Sequence, residues 1–181
     1  MKRSLIHRAA PIARYFPRLT MFYRTWREKS IPLEDPVQTP LGFQLAGNPL
    51  MQNGSFESEV TAVVQQLLRQ VDVVINVGAN IGYYCCMALK MGKPVVAFEP
   101  VWRNLQYLYQ NIAANEWTSK IEIFPLALSN RTGLDKMYGS GTGASLVKGW
   151  AKNPVDQFVW VPTSTLDHVL GSRFIGEKCL V

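Results

Sequence analysis

Apolar positions along this chain fall into short unbroken blocks separated by longer stretches with a helical repeat. Val73 to Val77, Pro94 to Phe98, Ile121 to Leu126 and Phe158 to Val161 are the blocks, and the last few residues begin another. Runs of this length with little alternation suit parallel strands covered on both faces. Between them, Ile81 to Met91 and Val101 to Asn115 read as helices, the second with Leu105, Leu108, Tyr109 and Ile112 as its buried stripe and Asn104 and Asn111 on its surface. Strand and helix in alternation predict an α/β fold with a parallel sheet and helices on both faces.

Upstream the pattern is weaker. Gly42 to Ala46 and Leu50 to Gln52, around a turn at Gly47-Asn-Pro49, predict a small hairpin, and the proline-punctuated Ile31 to Gln38 reads as a linker. Ser55 is placed to cap a helix with Glu57 and Glu59 in its first turn and Val60, Val63, Val64, Leu67 and Leu68 as its apolar stripe. The expected organisation is an arm and linker over residues 1–38, followed by one domain over 39–181.

Chemistry enters at the end of the first block. Asn76-Val-Gly-Ala-Asn-Ile-Gly82 leads from a strand into a glycine loop, and Glu99 closes the next strand. Gly78 and Gly82 let the backbone turn sharply and approach a ligand, because neither carries a Cβ. A carboxylate at the C-terminal end of the second strand can accept from ribose hydroxyls, where ligands of open α/β sheets bind. The dinucleotide fingerprint needs a glycine where this loop has Asn80, so a nicotinamide dinucleotide oxidoreductase is disfavoured. A nucleoside without a pyrophosphate, such as S-adenosylmethionine, fits better. The Gly139-Ser-Gly-Thr-Gly143 patch lacks the Lys-Ser/Thr of a phosphate loop and reads as a mobile loop beside the acceptor, with Trp150 nearby as core.

These segments, in this order, resemble the FkbM family of S-adenosylmethionine-dependent methyltransferases. The resemblance is carried by Asn76 to Tyr84, Ala97-Phe-Glu-Pro100, Asn104 and Asn111, Ala127-Leu-Ser129 with Gly133, Gly143-Ala-Ser-Leu146 and Val161 to Asp167. It implies a Rossmann-like class I methyltransferase sheet and methyl transfer to a hydroxyl oxygen. It also implies a cofactor site of Asn76, Gly78, Ala79, Asn80, Gly82 and Glu99, with the glycine loop on the methionine side and Glu99 on the ribose. The family commonly has Asp where this chain has Asn76, which keeps the hydrogen-bonding shape without the charge. In the family the strand begun by Lys178-Cys-Leu-Val181 continues into an acidic stretch that supplies the natural base. That stretch lies beyond Val181, so the C-terminal strands are expected to be missing and no catalytic residue is assigned. An alternative is a non-catalytic truncated fragment or interaction module. Glycan, lipid and other small-molecule hydroxyls all remain compatible as acceptors.

Composition adds compartment and surface. Of 181 residues, 48% are hydrophobic, enough for a core, and no apolar run is long enough to cross a membrane. Cys85, Cys86 and Cys179 have no metal-ligand spacing and are expected to be buried thiols in a reducing cytoplasm; no metal is expected. His168 follows Asp167 in the first turn of a short helix capped by Thr165 and reads as structural. The first 30 residues hold eight Lys or Arg and one acidic residue, a surplus that exceeds the chain's +6 by one and leaves −1 on the remainder. Leu5, Ala9, Ile12, Phe16, Leu19, Tyr23 and Trp26 alternate with arginines in that arm, although Pro11 and Pro17 interrupt it. It reads either as a peripheral membrane anchor or as helical turns packed on the domain, and no nucleic-acid module is present. The anchor reading predicts that the full-length chain binds anionic vesicles and releases them as salt rises; no association in cosedimentation at low salt would discard it.

Overall fold

The computed structural model describes residues 32–139, 143–150, 155–156 and 158–181. The basic arm at residues 1–31 and most of the tip of the glycine patch therefore lie outside the described residues. Leu33–Val181 form one compact unit.

Its centre is a four-stranded parallel sheet. β3 (Val73–Val77), β4 (Val95–Phe98), β5 (Ile121–Phe124) and β9 (Cys179–Leu180) lie in the order β5-β4-β3-β9. All three ladders are parallel, with Ile75 opposite Val96 and Ala97 opposite Ile123. The chain runs from β3 outward to β5 and then returns to the other side of β3, so the order reverses beside β3. Such a reversal opens a crevice at the carboxyl ends of the strands, the place where α/β sheets bind ligands. This is the Rossmann-like α/β architecture that the alternating blocks predict.

Side chains on each strand alternate between two apolar layers. Val74, Val95 and Ala97 face a layer built from helices α3 (Tyr83–Lys90) and α4 (Trp102–Ala114), with Leu105, Leu108 and Ile112 buried against them. Ile75, Val96 and Phe98 face the opposite way and are covered by Leu170, Leu166, Val169 and Phe174, in and after the short helix α5 (Leu166–Leu170). Thr165 caps α5, its Oγ1 accepting from the His168 N–H at 3.0 Å, as its sequence predicts. No described helix is long and apolar enough to cross a membrane.

Several expectations are corrected. The upstream hairpin uses different strands: β1 (Val37–Gln38), inside the expected linker, pairs with β2 (Gln44–Leu45). Thr39 closes that turn, its hydroxyl donating to the Phe43 carbonyl at 2.8 Å. Pro49–Gln52 is a helical turn, α1, because Asn48 accepts from the N–H groups of Leu50 and Met51 and Pro49 has the backbone angle a first turn needs. Helix α2 (Ser58–Leu68) starts at Glu57, in a left-handed conformation, while Ser55 bonds back to Asn53. On α2, Thr61 and Leu68 are buried, whereas Val60, Val63 and Leu67 are exposed, so the expected stripe is turned partly outward. The third block ends at Phe124, ahead of Pro125, and the chain enters a second sheet. Trp150 is exposed, and Cys179, on the short outer strand β9, is exposed while Cys85 and Cys86 are buried.

The second sheet consists of β6 (Ala127–Leu128), β7 (Gly133–Tyr138) and β8 (Phe158–Ser164), with β8 in the middle, parallel to β6 and antiparallel to β7. Asp135 and Lys136 interrupt the apolar signal of β7, which is why the sequence pattern passes over it.

Asn104 and Asn111, expected on the surface of α4, are both buried. Asn111 accepts from the Ala46 N–H at 2.7 Å and donates to the carbonyls of Ala46 and Ile81. One amide thus satisfies three backbone groups from two segments distant in sequence. Asn111→Leu should destabilise the protein by about 3 kcal/mol, since it buries an apolar group against orphaned backbone donors and acceptors; urea unfolding measures the loss.

Candidate functional site

The turn after β3 is fastened to the end of β4. The N–H groups of Gly78 and Ala79 both donate to the Phe98 carbonyl at 2.9 Å. The next N–H, from Asn80, donates to Glu99 Oε2 at 2.7 Å. Asn80 reaches that position with a φ of 52°, a left-handed conformation that Asn tolerates better than most residues. The Val101 N–H and the Asn104 side-chain amide donate to the other oxygen, Oε1, at 2.8 and 3.2 Å.

Glu99 is only 3% exposed, and burial raises its pKa above the usual carboxylate value, against the lowering effect of the Val101, Asn80 and Asn104 hydrogen bonds. An ionised carboxylate offers about four acceptor positions, of which three are taken here. The one left is on Oε2, so the capacity is for a single further donor rather than for both hydroxyls of a ribose.

Gly78, Asn80 and Glu99 line one cavity of ≈ 220 Å³ at the carboxyl edge of the parallel sheet. Its floor includes Val77 and Phe98, and Leu126, Ala127 and Leu128 close one side. A further stretch of wall is Met137 from β7 with Ala144, Ser145 and Leu146. Ser145 and Tyr138 exchange backbone hydrogen bonds at 2.8 and 2.9 Å, which fixes that wall. Pattern reading alone misses it; Gly143-Ala-Ser-Leu146 is flagged only by the family resemblance, and Met137 by nothing.

Three of the six expected cofactor residues are elsewhere. Asn76 points towards α3, where its amide donates to Cys85 Sγ at 3.2 Å. Ala79 is buried at the base of the turn and does not line the cavity. Gly82 caps α3 with a φ of 91°, and a Cβ there would lie 2.5 Å from the Leu108 Cδ1. Its lack of a side chain serves the approach of α4 rather than a ligand. Gly78, by contrast, has no atom within 4 Å of a built Cβ, so its open side belongs to the cavity.

Among the described residues of the lining, no side chain is set up as a nucleophile or base. Glu99 is the one ionisable group among the described residues of the lining, and it is committed to backbone donors. Burial pushes the Cys85 thiol up to about 12 and raises Cys86 as well, which keeps both protonated at neutral pH. His168 is exposed on α5 and is absent from the cavity lining.

Neither a family model nor a curated protein matches the chain. Among solved structures, a candidate RNA methyltransferase from Pyrococcus horikoshii is similar at 22% identity and a TM-score of 0.34, over 43% of this chain and 42% of that one. The chain thus spans about two fifths of that protein's length, and the fold assignment rests on the strand order rather than on this likeness.

The raised pKa of Glu99 has a defined sign. The folded chain holds this proton at a pH where the unfolded chain has lost it. Stability contributed by the group is therefore greatest below the ordinary carboxylate value and is lost as pH rises through the raised one. Glu99→Gln should cost about 1–3 kcal/mol at neutral pH, because its NH₂ meets N–H donors. Thermal melts taken downward from neutral pH into the ordinary carboxylate range should show the wild type gaining on that variant as pH falls, and parallel profiles would refute the assignment.

Proposed function

We propose that this chain binds S-adenosylmethionine in the cavity between Gly78 and Glu99 and belongs to a methyltransferase of the FkbM type acting on a hydroxyl acceptor. The observation that carries the reading is the joining of the glycine turn and the carboxylate in one cavity at the reversal of strand order. The fit is one of shape and acceptor capacity: open space beside Gly78 for the methionine side, and one acceptor position on Glu99 Oε2 for a ribose hydroxyl. The apolar side chains of Met137, Ala144 and Leu146 support the reading because they lower the polarity beside a site where a sulfonium methyl is to meet a weaker nucleophile.

When bound, the cofactor would supply a methyl activated by its sulfonium, leaving as a neutral thioether once the methyl is on the acceptor oxygen, and the acceptor's hydroxyl proton would pass to solvent water. The protein's contribution is alignment and desolvation. Asn76 gives no charge for the methionine ammonium, and its amide NH₂ is engaged with Cys85. The cytoplasm and the surface of anionic membranes are the proposed setting, the latter through residues 1–30.

Calorimetry on the full chain tests the reading. S-adenosylmethionine and S-adenosylhomocysteine should bind and NAD should not. Glu99→Ala and Gly78→Asn should each weaken both ligands by about tenfold or more, a loss of about 1.4 kcal/mol. The second variant keeps the Glu99 network and tolerates the left-handed backbone, so it separates lost binding from lost folding. Saturable NAD binding, or no nucleoside binding by a folded chain, would overturn the proposal.

A further inference from the structure

The second sheet has two unlike faces. Met137 and Val161 point inward, where they are buried with Ala127 against Leu146 and Ala144. The outward face pairs Lys136 with Trp160, Tyr138 with Phe158 and Leu134 with Pro162 across the two strands. Residues paired in this way share one side of the ladder. Trp160 is 60% exposed, its ring 5.8 Å from that of Phe158 and nearly perpendicular to it. The Lys136 ammonium rests 4.1 Å from the Phe158 centroid and 5.4 Å from that of Trp160.

This face forms the wall of an open groove of ≈ 500 Å³ that includes Trp160, Lys136 and Tyr138 together with Ser129, Asn130 and the Arg131–Asp135 ion pair. Leu146 lines both this groove and the cavity beside Glu99. The two spaces are therefore neighbours that share this side chain. The geometry points to this groove as the acceptor site, and to an uncharged sugar unit of a glycan as its occupant.

Three features select that chemistry. The exposed indole is a flat apolar platform for the C–H face of a pyranose, and the hydroxyl and amide of Ser129 and Asn130 stand nearby as partners for its hydroxyls. Arg131 and Asp135 cancel each other, and the Lys136 charge is held over two rings, so the groove presents no row of cations for phosphates. Leu33–Val181 as a whole carry a net charge of −1, the opposite of the basic footprint that tracks a nucleic-acid backbone. A sugar also brings the nucleophile the reaction class needs, a hydroxyl, to the wall that Leu146 shares with the cavity.

The inference rests on the methyltransferase reading for its word acceptor, but its test does not. Maltohexaose, cellohexaose, chitohexaose and a short oligothymidylate are titrated into the full chain, followed by tryptophan fluorescence and saturation-transfer NMR, with S-adenosylhomocysteine calorimetry run separately. At least one oligosaccharide should bind saturably. Trp160→Ala should weaken it by about tenfold or more, and Trp160→Phe should restore most of the affinity, with S-adenosylhomocysteine binding unchanged in both. No saturable binding by any oligosaccharide, equal binding by Trp160→Ala, or oligothymidylate binding lost in Trp160→Ala would each overturn the glycan assignment. Oligosaccharide binding that persists in a chain with no affinity for S-adenosylhomocysteine would sink the proposed activity and leave the groove intact.

Discussion

The constraint on which the site depends is the seating of one buried carboxylate among three donors. Glu99 draws the Asn80 N–H from the turn after β3, the Val101 N–H from the entry to α4 and the Asn104 amide from within α4. Burying a carboxylate is costly unless its lone pairs are met, and here they are met by the segments that must converge to form the cavity. With Gly78 and Ala79 bonded to the Phe98 carbonyl, the turn has no freedom to drift from the end of β4. The crevice is thus held together by its own hydrogen bonding, and the remaining acceptor position on Oε2 is oriented by the same donors that seat the carboxylate.

Helix α4 extends that logic to the rest of the domain. Asn104 and Asn111 are seven residues apart, two helical turns, and so lie on one face. The first holds Glu99; the second holds Ala46 and Ile81, tying the upstream hairpin and the far side of the glycine loop to the same helix. Gln44 and Asn115 extend the seam by one more turn, with Asn115 Oδ1 accepting from the Gln44 N–H and its amide donating to the Gln44 carbonyl, both at 2.8 Å. Two asparagines on this helix and a third at its C-cap therefore do by hydrogen bonding what an apolar stripe alone does without fixed register.

Three of the four apolar blocks become strands of the central sheet, because short apolar runs separated by helical repeats have few other solutions; the fourth, Phe158 to Val161, is part of β8 in the second sheet, where it pairs antiparallel with β7. The loop and Glu99 could be read because glycine and a strand-end carboxylate stand out against such blocks. Asn104 and Asn111 could not, since a buried asparagine looks like a solvated one until its backbone partners are brought in from far along the chain. Gly82 was ambiguous for a related reason: the same residue type serves a ligand at an open turn or a neighbouring helix at a crowded one, and only the position of Leu108 decides. The wall from Met137 to Leu146 was hidden because β7 mixes charged and apolar residues on a sheet with one wet face. Asn48 and Pro49 read as a hairpin turn, because the same residue types that open a helix also make a tight turn, and only the Leu50 and Met51 N–H groups bonded to Asn48 tell the two apart.

The covering of the sheet's second face comes late in the chain. Ile75, Val96 and Phe98 are laid down in β3 and β4, yet Leu170 and Phe174, which pack over them, follow only after the whole second sheet, and the Arg173–Glu122 ion pair that pins this cover to β5 comes with them. During synthesis on a ribosome, the nascent sheet emerges with one greasy side bare until that final stretch leaves the exit tunnel. Apolar surface left uncovered in that interval is the kind that drives incomplete chains to aggregate.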